Sequence, residues 1–199
     1  WGGRLVAVTG SAGKTTTKEV AARLLETALR TAKSAGNLNN HIGVPLSLLR
    51  LPEDAEAAVI EIGMNHPGEI RRLARIARPD IGVVTNVGHA HLEFFNSVED
   101  VALAKRELIE ELPPDGVAVL NADDPLVAGF RQVHRGRTVT FGFAAGADFR
   151  ATEVELLPGG VRFRVGQALL ESPLAGVHNV RNLLAALAVA GEFGLKPEQ

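Results

Sequence analysis

Five short apolar runs, RLVAV, AAVIEI, IGVV, GVAVL and TVTF, pass without the polar–apolar alternation of a half-exposed strand. Runs of this kind suit parallel strands covered on both faces. Between them the period changes. Apolar residues recur at helical spacing over 16–29, 44–51, 69–77 and 99–112. Strands alternating with helices predict an α/β fold, a doubly wound and mostly parallel sheet. Beyond residue 143 the stretch DFRATEVELLPGGVRFRVGQALLESPL alternates around a PGG turn. It predicts a small antiparallel sheet within about residues 137–172. HNVRNLLAALAVAGEF then returns to helix, and no repeat or low-complexity linker interrupts the order.

Composition narrows the class. A chain of 199 residues can bury a full core, and one domain is the default. With 46% hydrophobic and 22% charged residues it reads as globular rather than disordered. A formal net charge of -2 gives no nucleic-acid footprint. Cysteine is absent, which excludes disulfides and thiolate metal sites. No apolar run approaches the roughly 18 residues of a membrane span. The expectation is a cytoplasmic protein, a monomer, with no membrane partner. The chain opens almost on a strand without a preceding methionine and closes just after a helix, so it reads as a piece of something longer.

The stretch VAVTGSAGKTTT carries the first chemistry. A phosphate loop needs small residues that let the backbone close on an anion, and a helix N-terminus aimed at it. Gly10, Ser11, Ala12 and Gly13 form such a turn between a strand and a helix beginning near Lys14. Lys14 would reach the outer phosphates, and the Thr15 hydroxyl would sit on Mg²⁺, with Thr16 following. The usual pattern has a glycine where this chain has Val8. Gly10 still permits the turn. The ordinary alternative is a tight glycine turn with a capping threonine.

Other residues interrupt the apolar pattern. Glu61 lies near the end of AAVIEI, where a buried carboxylate is costly unless paired or on a metal. Ligands collect at the carboxyl ends of strands in open α/β sheets, which makes Glu61 a candidate Mg²⁺ ligand or water-holder; a salt-bridged edge residue is the alternative. His89 and His91, in TNVGHAHLEFF, follow IGVV at the same edge, as metal or phosphate groups or as plain loop histidines. On the helix VEDVALAKRELIEEL, Lys105 is four residues from both Val101 and Ile109, and so points with the apolar face. It snorkels to water, or it is a lysine modified to lose its charge or set beside acids and phosphates. LNADDP falls at another carboxyl edge. In GVHNVRN, His178 shares a helix face with Asn182, and so does Asn179. Asparagine offers the donor and acceptor that an adenine edge needs, although Asn179 also suits a helix cap.

Taken in order, TGSAGKTTT, GNLNNHIGVP, EIGMNHPGEI, NVGHAHLEFF, ALAKREL, LNADDP and GVHNVRNLLAAL resemble the central domain of the ATP-dependent Mur ligase family over almost the whole chain. That family does not require the first glycine of the loop. GNLNN with NHPGEI and AHLEFF looks most like the members that add D-alanyl-D-alanine to UDP-N-acetylmuramoyl-tripeptide.

The resemblance implies roles. Lys14 and the loop amides would hold the β- and γ-phosphates of ATP. Thr15 and Glu61 would bind one Mg²⁺, and His91 would help bind a second. Lys105 falls where the family carries a lysine carbamylated by CO₂, a carboxylate-like metal ligand. His178, Asn179 and Asn182 would contact the base and its surroundings. Asn39, Asn40, Asn65 and His66 are family-like residues on the substrate side, without an assigned role.

The implied reaction passes through an acyl phosphate to an amide. The family's uridine-nucleotide domain and its carboxyl-terminal Rossmann-like domain are expected to lie outside this chain, leaving an ATP-site piece that is not a competent ligase alone. Another ligase of the same fold, one adding diaminopimelate or lysine or a folylpolyglutamate synthetase, is one alternative. A P-loop switch protein is a second, although LNADDP is not a base-specifying NKxD motif. A non-catalytic nucleotide-binding module is a third.

Overall fold

The computed structural model describes residues 1–88 and 94–198. Its elements follow in chain order: β1 Arg4–Thr9, α1 Lys14–Leu25, β2 Thr31–Lys33, α2 Gly43–Leu49, β3 Ala57–Glu61, α3 Glu69–Ala77, β4 Ile81–Val84 and α4 Val98–Glu110. Then come β5 Val117–Asn121, α5 Pro125–Gly129, a 3-10 turn Phe130–Val133, β6 Arg137–Gly142, β7 Phe149–Leu157, β8 Gly160–Val165, β9 Ala168–Ser172 and α6 Val177–Glu192. The strands form one sheet in the order β2-β3-β1-β4-β5-β6-β7-β8-β9. Pairing is parallel from β2 to the start of β7, then antiparallel across β7, β8 and β9.

The unalternating runs are strands buried on both faces. Along β1, Leu5 and Ala7 enter one core with residues of α3 and α4, while Val6 and Val8 enter the other with residues of α1 and α6. Side chains alternate between faces, so covering both faces demands apolar residues at every position. TVTF lies in β6, which pairs parallel with β5 and with the start of β7, so the antiparallel pairing begins at Ala151 rather than near residue 137. Two features carry weak sequence signals. β2 is a three-residue edge strand with no buried position. In α5, Asp124 is the N-cap, accepting from the amides of Leu126 and Val127 ahead of Pro125 in the first turn.

The topology fixes where chemistry gathers. β1 is flanked by β3 on one side and β4 on the other, and the chain changes direction across the sheet there. Ligands bind at the carboxyl ends of strands at such a switch point. The loop after β1, Glu61 at the end of β3 and Thr85 and Asn86 after β4 all reach that edge.

Candidate functional site

The turn from β1 into α1 is bolted to the end of β4. Ser11 donates its amide to the Asn86 carbonyl at 3.0 Å. Ala12 donates to Asn86 Oδ1 at 2.9 Å, and Asn86 Nδ2 returns a bond to the Ala12 carbonyl at 3.0 Å. The Thr85 hydroxyl donates to that carbonyl at 2.6 Å. The amides of Ser11 and Ala12 are therefore spent inside the protein. The first intrahelical bond runs from the Thr17 amide to the Gly13 carbonyl. Helix geometry leaves the amides from Gly13 to Thr16 without intrahelical partners, and these remain for an anion.

Glycine is required twice here. Gly10 has φ of 152°, and a Cβ there would stand 1.8 Å from Thr85 Oγ1. Gly13 has φ of 83°, and its Cβ would stand 2.2 Å from Asn182 Oδ1. Gly10→Ala is expected to lower stability by on the order of 1–3 kcal/mol, because the new methyl must displace the hydroxyl that ties the loop. Denaturant unfolding checks this; an unchanged midpoint would show that the loop has slack.

Lys14 donates to the Gly10 carbonyl at 2.9 Å, folded over its own turn. Burial lowers its pKa, and the Glu61 charge opposes that shift. Glu61 is 1% exposed. Its Oε2 accepts from the Thr15 hydroxyl at 2.7 Å, and its Oε1 accepts from Asn39 Nδ2 at 2.7 Å. The two residues expected to share a metal are therefore in direct contact, and Asn39 orients the carboxylate. Lys105 does not snorkel. It is 2% exposed, and burial together with the nearby Lys14 charge lowers its pKa from 10.5 to about 7. Lys14, Lys105, Asn39, Asn40, Asn65 and His66 line one cavity of about 550 Å³, joined by His41 and Arg72.

Some expected residues are partly committed elsewhere. Asn40 Oδ1 accepts from the amides of Ile42 and Gly43 and starts α2. Glu69 accepts from the amides of Asn65 and His66, closing the turn into α3, and His66 packs on Phe94 at 4.7 Å between ring centroids. His89 and His91 lie outside the described residues.

A second recess holds two of the three expected base-side groups, His178 and Asn182. Gly13, Asn86, Asp123, His178, Arg181 and Asn182 are among its lining. Asn182 is buried against the loop, donating to Asn179 Oδ1 at 3.1 Å. Asn179 is not the helix cap: Gly176 is, and Asn179 Nδ2 donates to the Ala175 carbonyl. LNADDP is largely a structural corner. Asp123 accepts from the amides of Phe143 and Ala144 and from Arg181 Nε at 2.9 Å, while Asp124 Oδ2 accepts from the Val87 amide. Sequence reading missed Asn86, Arg181 and Lys18. Asparagine and arginine near a turn resemble solvated loop residues until the fold shows what they meet.

Residues 8–190 match the Mur ligase middle domain. The chain belongs to the Mur ligase family. Among curated relatives, the UDP-N-acetylmuramoyl-tripeptide--D-alanyl-D-alanine ligase of Bacillus subtilis strain 168 is 41% identical over 199 residues, covering 99% of this chain and 43% of the relative. The enzyme of the same name from Escherichia coli K12 is 42% identical over 201 residues, covering 96% and 44%. A crystal structure of MurF from Acinetobacter baumannii superposes with a TM-score of 0.91 at 38% identity, over 97% of this chain and 43% of that one. This Mur ligase chain thus spans less than half the length of the relatives it matches.

The residues present fit a metal–nucleotide pair. Among the described residues no cluster of three His, Asp or Glu could hold a metal by protein groups alone. A hydroxyl and one carboxylate beside free helix amides suit Mg²⁺, which keeps waters and binds through few carboxylates plus substrate phosphates. Gly13, without a Cβ, leaves the backbone open to close approach.

Proposed function

We propose that this chain forms the nucleotide-binding centre of an ATP-dependent ligase that joins D-alanyl-D-alanine to UDP-N-acetylmuramoyl-tripeptide in peptidoglycan precursor synthesis. The observation that carries the reading is the direct Thr15–Glu61 contact beside the open amides of α1, with the buried Lys105 amine in the same cavity as Lys14. Relatives named for that reaction align over nearly all of this chain, and a MurF ligase from Thermotoga maritima, 35% identical with a TM-score of 0.85, is known in complex with ADP.

Thr15 and Glu61 would hold one Mg²⁺. His91 and a carbamylated Lys105 would serve a second. Mg²⁺, when bound, neutralises charge on the phosphates. Lys14 and the amides of Gly13 to Thr16 bind and orient the triphosphate. His178, Asn179 and Asn182 face the base. Asn39 orients Glu61, and Asn40, Asn65 and His66 line the side from which an acyl substrate approaches. The tripeptide carboxylate attacks the γ-phosphorus in line, ADP leaves, and an acyl phosphate forms. The amine of D-alanyl-D-alanine then attacks the acyl carbon, and phosphate leaves.

No helix among the described residues is long and apolar enough to cross a membrane. The reading carries with it a cytoplasmic, monomeric enzyme. By itself this chain is expected to lack ligase turnover, because it carries less than half of a relative's length. The test has two arms. Calorimetry with ATP and Mg²⁺ on this chain reads binding, and a ligation assay with all three substrates reads turnover. Metal-dependent binding without turnover is expected. Absence of binding in the intact polypeptide would overturn the assignment.

A further inference from the structure

Lys18 sits one turn beyond Lys14 on α1 and takes no part in the chemistry above. It is 0% exposed. A helix lysine ordinarily extends its ammonium to water, and a buried one is costly unless its protons find acceptors. All three find them. Lys18 Nζ donates to the Ser34 carbonyl at 2.8 Å and the Gly36 carbonyl at 2.6 Å, and pairs with Glu19 Oε1 at 3.0 Å. Glu19 is shared with Lys33 at 2.6 Å.

The two carbonyls belong to the loop between β2 and α2. Ala35, Gly36 and Asn37 are exposed, so apolar burial contributes little to fixing this loop. Yet the loop holds the metal-side residue Glu61 at two points, its backbone amide and its carboxylate. Ser34 Oγ accepts from the Glu61 amide at 3.1 Å, and Asn39 Nδ2 donates to Glu61 Oε1 at 2.7 Å. The Asn39 carbonyl also accepts from the Gly63 amide at 2.8 Å, just beyond β3.

We propose that Lys18 is a positioning residue, a buried cation that pins the loop of residues 34–40 so that Asn39 holds Glu61 ready for a divalent cation. The inference rests on the nucleotide–Mg²⁺ reading of the site. It assigns to this lysine the same task that outer-shell hydrogen bonds perform around metal ligands, where their loss typically lowers metal affinity by about 10–100-fold.

The experiment uses the intact polypeptide with Lys18→Met, which fills the volume without charge. Two quantities are read once circular dichroism shows a folded protein. The first needs no ligand: amide hydrogen exchange across residues 35–40 is expected to quicken. The second is the Mg²⁺ concentration giving half-maximal ATP binding, expected to rise roughly tenfold. In an Asn39→Ala background the same substitution is expected to add little to the Mg²⁺ requirement, since the path through Asn39 is already cut. Unchanged loop exchange, an unchanged Mg²⁺ requirement in the single variant, or full additivity with Asn39→Ala would overturn the proposal. If Lys18→Met does not fold, Lys18→Gln is read in the same way. Should neither fold, Lys18 is a core-forming residue and the inference falls. Failure of the wild-type protein to bind ATP with Mg²⁺ would count against the nucleotide reading instead, while the exchange measurement still decides whether Lys18 holds the loop.

Discussion

Glu61→Gln is expected to weaken Mg²⁺-dependent ATP binding about 100-fold or more, with little effect on folding. Changes outside the metal's first ligands already cost roughly 10–100-fold in affinity, and here the charged group itself is removed. Glutamine has nearly the same volume and keeps an acceptor for the Thr15 hydroxyl or the Asn39 amide, so the strand end stays packed. What disappears is the negative charge that faces Lys14 and would face the cation. ATP binding titrated against Mg²⁺, with circular dichroism as the control for folding, checks this. A variant with wild-type Mg²⁺ dependence would remove Glu61 from the metal site.

Lys105 is expected to take up CO₂ in a pH-dependent way, and Lys105→Met to abolish the uptake. Only the neutral amine attacks CO₂: the ammonium first loses one proton, the nitrogen–carbon bond then forms, and a second proton leaves the nitrogen to give an anionic carbamate. With a pKa of about 7, the neutral fraction rises from about one-tenth at pH 6 to about nine-tenths at pH 8. The Lys14 charge that disfavours a second ammonium would attract a carbamate. ¹³C NMR with labelled bicarbonate, or intact mass under CO₂, reads the uptake. Equal uptake by the methionine variant would place the reaction elsewhere.

The same shift has a stability consequence in CO₂-free buffer. Between pH of about 7 and the ordinary 10.5 the unfolded chain holds a proton that the folded protein has lost. Stability therefore rises with pH across that window, by at most about 1.4 kcal/mol per pH unit. Below it the lysine is charged in both states and the burial cost is present in full. Lys105→Met should flatten the rise in melting temperature.

The site was legible where a residue broke a pattern that burial imposes. Glu61 inside an apolar strand and Lys105 on an apolar helix face are both buried, at 1% and 2% exposure. The loop of Gly10 to Thr16 was legible because positive φ and close backbone approach permit few residue types. Lys18 was not, although it is more buried than either. A lysine among TTTKEV has an exposed helix as its default reading. Asn86 and Arg181 were hidden for a similar reason, since their partners Ala12 and Asp123 lie far away in sequence. The sheet was read well because parallel strands under two layers of helix need apolar residues on both faces. β2 escaped because an edge strand of three residues buries none of them. LNADDP was placed at a carboxyl edge, but only the structure shows Asp124 and Pro125 starting a short helix there.

By itself, then, the sequence determined the doubly wound sheet, the glycine turn between β1 and α1 and the two misplaced charges, because periodicity, turn geometry and the cost of burying charge act locally along the chain. Only the tertiary structure decided which groups meet. It set Thr15 on Glu61 across 46 positions, spent the Ser11 and Ala12 amides on Asn86, and turned Lys18 inward to a loop. Those pairings follow from strand order at the switch point, which brings the ends of β3, β1 and β4 together. Hydrogen bonds between residues so far apart leave no periodic trace in the chain that makes them.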